Sequence, residues 1–152
     1  NDTFNIAAGA DLITIDGGAG KDTFVFKGVS TNKSNFVVLN NVDSGDKIDL
    51  AGLVDGTPAT TFNSTKITLS VGATESTQAY LDQAMTVLAE NGFGWFQYNG
   101  NTYIAGDVGT SGDSLNSFAD GEDFVVMITG LVDLSTASFN ATTTTTATIE
   151  IA

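Results

Sequence analysis

The residues best placed to do chemistry lie in one stretch, Gly17-Gly18-Ala19-Gly20-Lys21-Asp22-Thr23-Phe24-Val25. Its order is Gly-Gly-x-Gly-x-Asp-x-apolar-x. Glycines allow a tight bend that brings backbone carbonyl oxygens close to one another. The Asp adds a charged oxygen, and oxygen ligands of both kinds suit a hard cation such as Ca²⁺. The apolar residue then starts a short strand whose alternate side chains point inward. The same residues also build ordinary Asx–Gly turns in a β-rich protein, so the pattern gains force only if it recurs.

It recurs in eroded form. Asn1-Asp2-Thr3-Phe4-Asn5-Ile6 matches the second half of the unit, with Asp2 in the acidic slot. Nine residues later, Ala8-Gly9-Ala10-Asp11-Leu12-Ile13-Thr14 retains Gly9, Asp11 and the apolar position, but not the first two glycines. Asp22 follows Asp11 by eleven residues, and the extra pair Ile15-Asp16 lengthens the strand by two, preserving its alternation. Further on, Asp46-Lys47-Ile48 echoes the Asp-x-apolar half. If successive turns fall on alternate sides of a coil, Asp2 and Asp22 share a side, and Asp46 is the expected partner of Asp11. The candidate metal ligands are therefore Asp2, Gly9, Asp11, Gly17, Gly18, Gly20, Asp22 and Asp46. The chain opens in mid-repeat, which reads as a C-terminal piece of a longer protein whose array continues upstream.

Elements must hold these turns in place. Residues 1–27 read as turns and strands with Phe4, Ile6, Ile13, Ile15, Phe24 and Phe26 inward, and Phe36-Val37-Val38-Leu39 as another strand. Residues 54–64, with the only proline, Pro58, read as a loop. Thr65 to Val71 alternates as a half-buried strand does. From Ser76 to Glu90 the spacing of Tyr80, Leu81, Ala84, Met85 and Leu88 predicts the one substantial helix, capped by Thr74 or Ser76 at its start and by Gly92 at its end. Asn99-Gly100-Asn101 predicts a hairpin joining Gly94–Tyr98 to Thr102–Ala105. Its aromatics, Trp95, Phe96, Tyr98 and Tyr103, read first as core and cross-strand pairs and second as a ring-stacking sugar site. Asp107, Asp113, Asp120, Glu122 and Asp123 form an acidic loop whose spacing does not fit an EF-hand; a second calcium loop and a solvated loop both remain open. Phe124–Ile128 predicts a buried strand, and the β-branched tail, 142–152, predicts a strand that pairs with a sheet edge.

Composition narrows the classes. The 152-residue chain carries 18 acids against 5 lysines, a net charge of −13, with no histidine and no cysteine. A polyanion makes a poor nucleic-acid partner. It suits a chain that folds on taking up Ca²⁺, because self-repulsion opposes compaction until cations neutralise it; an acidic surface also serves solubility. Disulfides, thiolate metal sites and most catalytic triads are excluded by composition. No acid pair is marked as catalytic, so the expectation is a non-enzyme. The apolar runs are too short to span a bilayer, and no membrane insertion is expected.

The stretch Gly17 to Phe26, with Asp43-Ser44-Gly45-Asp46-Lys47-Ile48-Asp49-Leu50-Ala51-Gly52-Leu53, resembles the C-terminal region of RTX proteins exported by type I secretion, and is similar to the tails of serralysin-type proteases. Residues 95–104 and 128–135 resemble the ends of bacterial S-layer proteins and large RTX adhesins. The resemblance implies an all-β-dominated chain: a calcium-binding parallel β-roll over 1–53, extended into a β-sandwich-like part over 54–152 with one helix, expected to form one continuous domain. It implies a secretion signal in the later part, recognition by type I secretion machinery, and Ca²⁺-driven folding outside the cell; the expected partners are then calcium and copies of itself or neighbouring S-layer subunits on the bacterial surface. It carries over Asp11, Asp22 and glycines 9, 17, 18 and 20 as ion ligands, and no catalytic residue. Two alternatives stand beside it: a secretion and folding module of an extracellular enzyme or adhesin, and a glycan-binding module.

Overall fold

The computed structural model describes residues 1–7, 12–28, 33–53, 61–108, 117–143 and 146–152. Its first five strands are short: β1 (Thr3–Ile6), β2 (Thr14–Asp16), β3 (Thr23–Phe26), β4 (Val37–Asn40) and β5 (Lys47–Asp49). They alternate between two sheets. β1, β3 and β5 are parallel neighbours in the first sheet, while β2 and β4 are parallel neighbours in the second.

The later strands extend both sheets. β6 (Thr61–Asn63), β7 (Gly92–Tyr98), β8 (Asn101–Asp107) and β9 (Phe124–Ile128) give the second sheet the order β2-β4-β9-β8-β7-β6. β9 runs parallel to β4 and antiparallel to β8. β10 (Ser138–Thr143) and β11 (Thr146–Glu150) form a hairpin, and β11 docks antiparallel on β5, so the first sheet reads β1-β3-β5-β11-β10. The chain is thus mostly β, in two mixed sheets with one helix, and strands from either side of residue 53 share both sheets.

Two apolar layers follow from strand alternation. Phe24, Ile48, Ile149, Leu39, Trp95, Ile104 and Val126 fill the space between the sheets. The intervening residues Phe96, Tyr103, Ala105 and Val125 face the other way and pack on Leu81, Ala84 and Met85 of α1 (Thr77–Val87). The central strands are therefore buried on both faces, which explains the unbroken apolar run at Phe124–Ile128. Full burial of a side chain such as Phe24 contributes roughly 1.5–3 kcal/mol.

Helix α1 starts where the sequence predicts: the Ser76 hydroxyl accepts from the Ala79 N–H at 3.0 Å. It stops at Leu88, before the expected glycine cap, because the chain must turn at Asn91 (φ +59°) to begin β7 at Gly92. The hairpin turn is two residues long, Asn99 and Gly100 with φ of +48° and +78°, the left-handed pair that matches strand twist. Residues 65–71 are not a strand. Ile67 is buried against the helix layer and its N–H reaches the Trp95 carbonyl at 2.8 Å, but the ladder partner of β7 is β6, inside the segment expected to be loop. Alternation there records burial, not pairing. Ile13, expected inward, is 41% exposed, whereas Phe4, Ile6, Ile15, Phe24 and Phe26 do pack on the core.

Candidate metal centre in the stacked glycine turns

The strands of the first sheet bring three acids into one column. Thr3, Thr23 and Lys47 are in register across β1, β3 and β5, so the residues just before them, Asp2, Asp22 and Asp46, stack. Main-chain bonds run along the column: the Thr23 N–H donates to the Asp2 carbonyl at 2.9 Å, and the Lys47 N–H to the Asp22 carbonyl at 2.8 Å. The side chains repeat the pattern in the opposite sense. Asp22 Oδ1 accepts from the Asp2 N–H at 2.5 Å, and Asp46 Oδ1 accepts from the Asp22 N–H at 2.8 Å. Each carboxylate caps a backbone donor of the turn before it.

Asp46 therefore stacks on Asp22 in the first sheet, which corrects the expected pairing of Asp46 with Asp11. The expected pairing follows only if each Asp-bearing turn is one step of the alternation. The longer segment between β3 and β5 holds β4, which returns Asp46 to the side of Asp22. Gly9 and Asp11 lie outside the described residues.

The two inner carboxylates differ in how their oxygens are used. Both residues are only 1% exposed. Asp46 is satisfied at both atoms, since Oδ2 accepts from the Asp43 N–H at 2.9 Å. Asp22 Oδ2 is buried and accepts no hydrogen bond from the described residues. The Asn1 α-amino nitrogen stands 3.4 Å from Asp22 Oδ1, leaving Oδ2 without a partner. An unsatisfied, buried, charged oxygen is costly, and a cation is one way to satisfy it.

The glycines shape the space around that oxygen. A Cβ on Gly17 would stand 3.0 Å from the Phe24 ring, 3.1 Å from the Asn41 carbonyl and 3.5 Å from Asp22 Oδ2, so Gly17 lets the bend close over the carboxylate. Gly18 and Gly20 have φ of +73° and +128°, conformations that side chains resist. Asp16, which the repeat pattern did not single out, locks the start of the bend: its Oδ1 accepts from the Gly18 N–H at 3.0 Å and from Asn41 Nδ2 at 2.7 Å. The signal available in the sequence was an Asp two residues ahead of a glycine, an Asx turn. Asp2 is exposed at the outer end of the column.

Among the described residues no group of three or more carboxylates is placed to hold a metal ion. An ion at Asp22 would be a carboxylate-plus-carbonyl site, the chemistry the glycine pattern provides for, and the orphaned Oδ2 fits that role. Asp46 does not fit it without giving up hydrogen bonds it already makes.

The acidic loop is only partly described, because residues 109–116, including Asp113, lie outside the described set. Asp120 pairs with Lys33 at 3.8 Å and accepts from the Lys33 N–H at 2.8 Å. Asp123 Oδ2 accepts from the Ala119 N–H at 2.7 Å. The aromatic hairpin is core: Trp95, Phe96 and Tyr103 are buried, and Phe96 lies stacked between Tyr80 and Tyr103 with centroids 4.9 Å from each. The faces of these three rings are not open for sugar stacking, while Tyr98 is half-buried. No described helix is long and apolar enough to cross a membrane. Compared with protein-family models the chain matches none, and no curated protein matches it.

Proposed function

We propose that this chain is a non-catalytic, calcium-binding C-terminal domain of a secreted bacterial surface protein of the S-layer type. Its first 53 residues act as a parallel β-roll that closes around Ca²⁺ after type I secretion, and the folded domain then assembles with its neighbours. The observation that carries the reading is the buried, unpartnered Asp22 Oδ2 inside stacked glycine turns. The alternation of β1 to β5 between two sheets, parallel within each, supports it, since a roll winds in that way. The charge of −13 supports it as well, because cation uptake relieves repulsion.

Asp22 would supply the charged ligand, and the bend at Gly17, Gly18 and Gly20 would supply carbonyl oxygens. The carboxylate is closed off from solvent. An ion would therefore enter as the turn closes, which couples binding to folding. The test is a calcium titration followed by far-ultraviolet circular dichroism. β-Structure should rise with Ca²⁺ and fall on chelation, and Asp22→Ala should weaken the response far more than Asp133→Ala. Equal effects of the two substitutions, or no response in the parent chain, would refute the site.

A further inference from the structure

A groove of about 560 Å³, none of whose lining residues belongs to the glycine turns, lies between the segment at Ser64–Lys66 and the segment at Asp133–Ser135. Trp95 and Gln97 of β7 form its floor; they are two residues apart on one strand and so share a face. The volume falls within the range of about 300–1,000 Å³ typical of small-ligand clefts.

Gln97 ties the two walls together. Its Oε1 accepts from Lys66 Nζ at 3.2 Å on one side, and its Nε2 donates to the Val132 carbonyl at 3.1 Å on the other. The second wall is anchored again through Thr102, whose Oγ1 accepts from the Val132 N–H at 2.8 Å and donates to the Gly130 carbonyl at 3.0 Å. On the first wall, Trp95 Nε1 donates to the Ser64 carbonyl at 2.9 Å. The polar groups of the groove are thus held in place before any ligand arrives, which lowers the cost of binding.

The lining carries one cation, Lys66, and one anion, Asp133. The Ser135 N–H donates to Asp133 Oδ1 at 2.9 Å. This bond, the Ser135 hydroxyl and the charge of Lys66 together keep the carboxyl ionised below the usual carboxylate range. Opposite charges in one groove give no net preference for an anion or a cation. They do offer a strong acceptor and a strong donor to a ligand with adjacent hydroxyls, beside the apolar edge of an indole. We propose that this groove binds one pyranose unit of a neutral saccharide, held by Asp133, Lys66 and Ser135 and floored by Trp95. This recognition is by the polar groups that line the groove, not by ring stacking on the hairpin, and it does not depend on calcium at Asp22.

Trp95 is the only tryptophan in the chain and serves as the reporter. The full chain is titrated, with and without Ca²⁺, with methyl β-D-glucopyranoside, methyl α-D-mannopyranoside, methyl β-D-galactopyranoside and N-acetyl-D-glucosamine, each to about 50 mM, far enough to define a millimolar Kd. At least one sugar should give a saturable change in Trp95 emission. Asp133→Ala and Lys66→Ala should each weaken that binding at least about fivefold, a loss of roughly 1 kcal/mol. Both side chains are exposed, and an unchanged circular dichroism spectrum verifies folding of each variant. Linear responses to all four sugars, equal saturation by glycine as a zwitterionic control, or binding unaltered in both variants would overturn the proposal.

Discussion

Asp22 and Asp46 occupy equivalent places in the column, yet substitution should separate them. The difference lies in one oxygen. Replacing Asp22 by Asn keeps an acceptor for the Asp2 N–H and removes a buried charge whose second oxygen has no partner. In chelator, Asp22→Asn should therefore be at least as stable as the parent chain. In calcium the order should reverse, because only the parent gains ligand linkage, about 2.7 kcal/mol at a hundredfold excess over Kd. Asp46→Ala should behave otherwise. It strands the buried Asp22 N–H and the partly buried Asp43 N–H, at a cost of roughly 2–4 kcal/mol with or without calcium. Urea denaturation of the three proteins in chelator and in calcium checks both expectations. A calcium-dependent gain retained by Asp22→Asn would remove Asp22 from the ligand set, and an Asp46→Ala cost confined to calcium would make Asp46 a ligand after all.

At the level of elements, the helix is pinned to the second sheet through a ring stack that titrates. Tyr80 of α1, Phe96 of β7 and Tyr103 of β8 lie nearly parallel, with interplanar angles of 8° and 7°. Burial raises the pKa of both tyrosines, with Glu75 adding to the rise at Tyr80. Their folded values exceed their unfolded ones. The stability they contribute is complete below the ordinary tyrosine range and is lost as pH climbs through the raised values. Thermal melts from about pH 9 to 12 should show falling stability tracking tyrosinate absorbance, and Tyr80→Phe with Tyr103→Phe should flatten that fall. A slope unchanged by the two substitutions would place the alkaline transition elsewhere. The stripe behind this contact was legible in the sequence, because Leu81, Ala84 and Met85 recur at helical spacing and the Asn99-Gly100 turn fixes the hairpin. The column of acids was legible only as a repeat. Its register depends on β4, legible as a strand but without the Asp-x-apolar unit that would mark it as one more step of the alternation. The groove floored by Trp95 was not legible, because its walls come from segments 64–66 and 133–135, brought together by sheet order alone. The failed strand at 65–71 has the same origin: alternation marks which residues are buried and says nothing about which neighbour supplies a ladder.

Across the whole molecule, 13 excess negative charges act on every compact state, and any cation relieves some of that repulsion. A rise in melting temperature on adding CaCl₂ therefore has two sources, general screening and a specific site. Fixing ionic strength separates them. The Debye length is about 8 Å at 0.15 M, so sodium already damps most long-range repulsion between surface carboxylates. It cannot act in the same way at Asp22, whose side chain is sealed within the turn and whose demand is for a ligand at one oxygen. Raising NaCl from about 0.01 M to 0.15 M in chelator should lift the melting temperatures of the parent and Asp22→Asn chains by similar amounts, as expected of a shared diffuse field. Exchanging part of that NaCl for CaCl₂ at constant ionic strength should lift the parent further and leave Asp22→Asn nearly where it was. MgCl₂ at the same strength should reproduce little of the effect, because Mg²⁺ demands tighter octahedral geometry and sheds water reluctantly. If NaCl alone accounts for the entire gain, the acidic composition explains the calcium response and the glycine turns hold no ion.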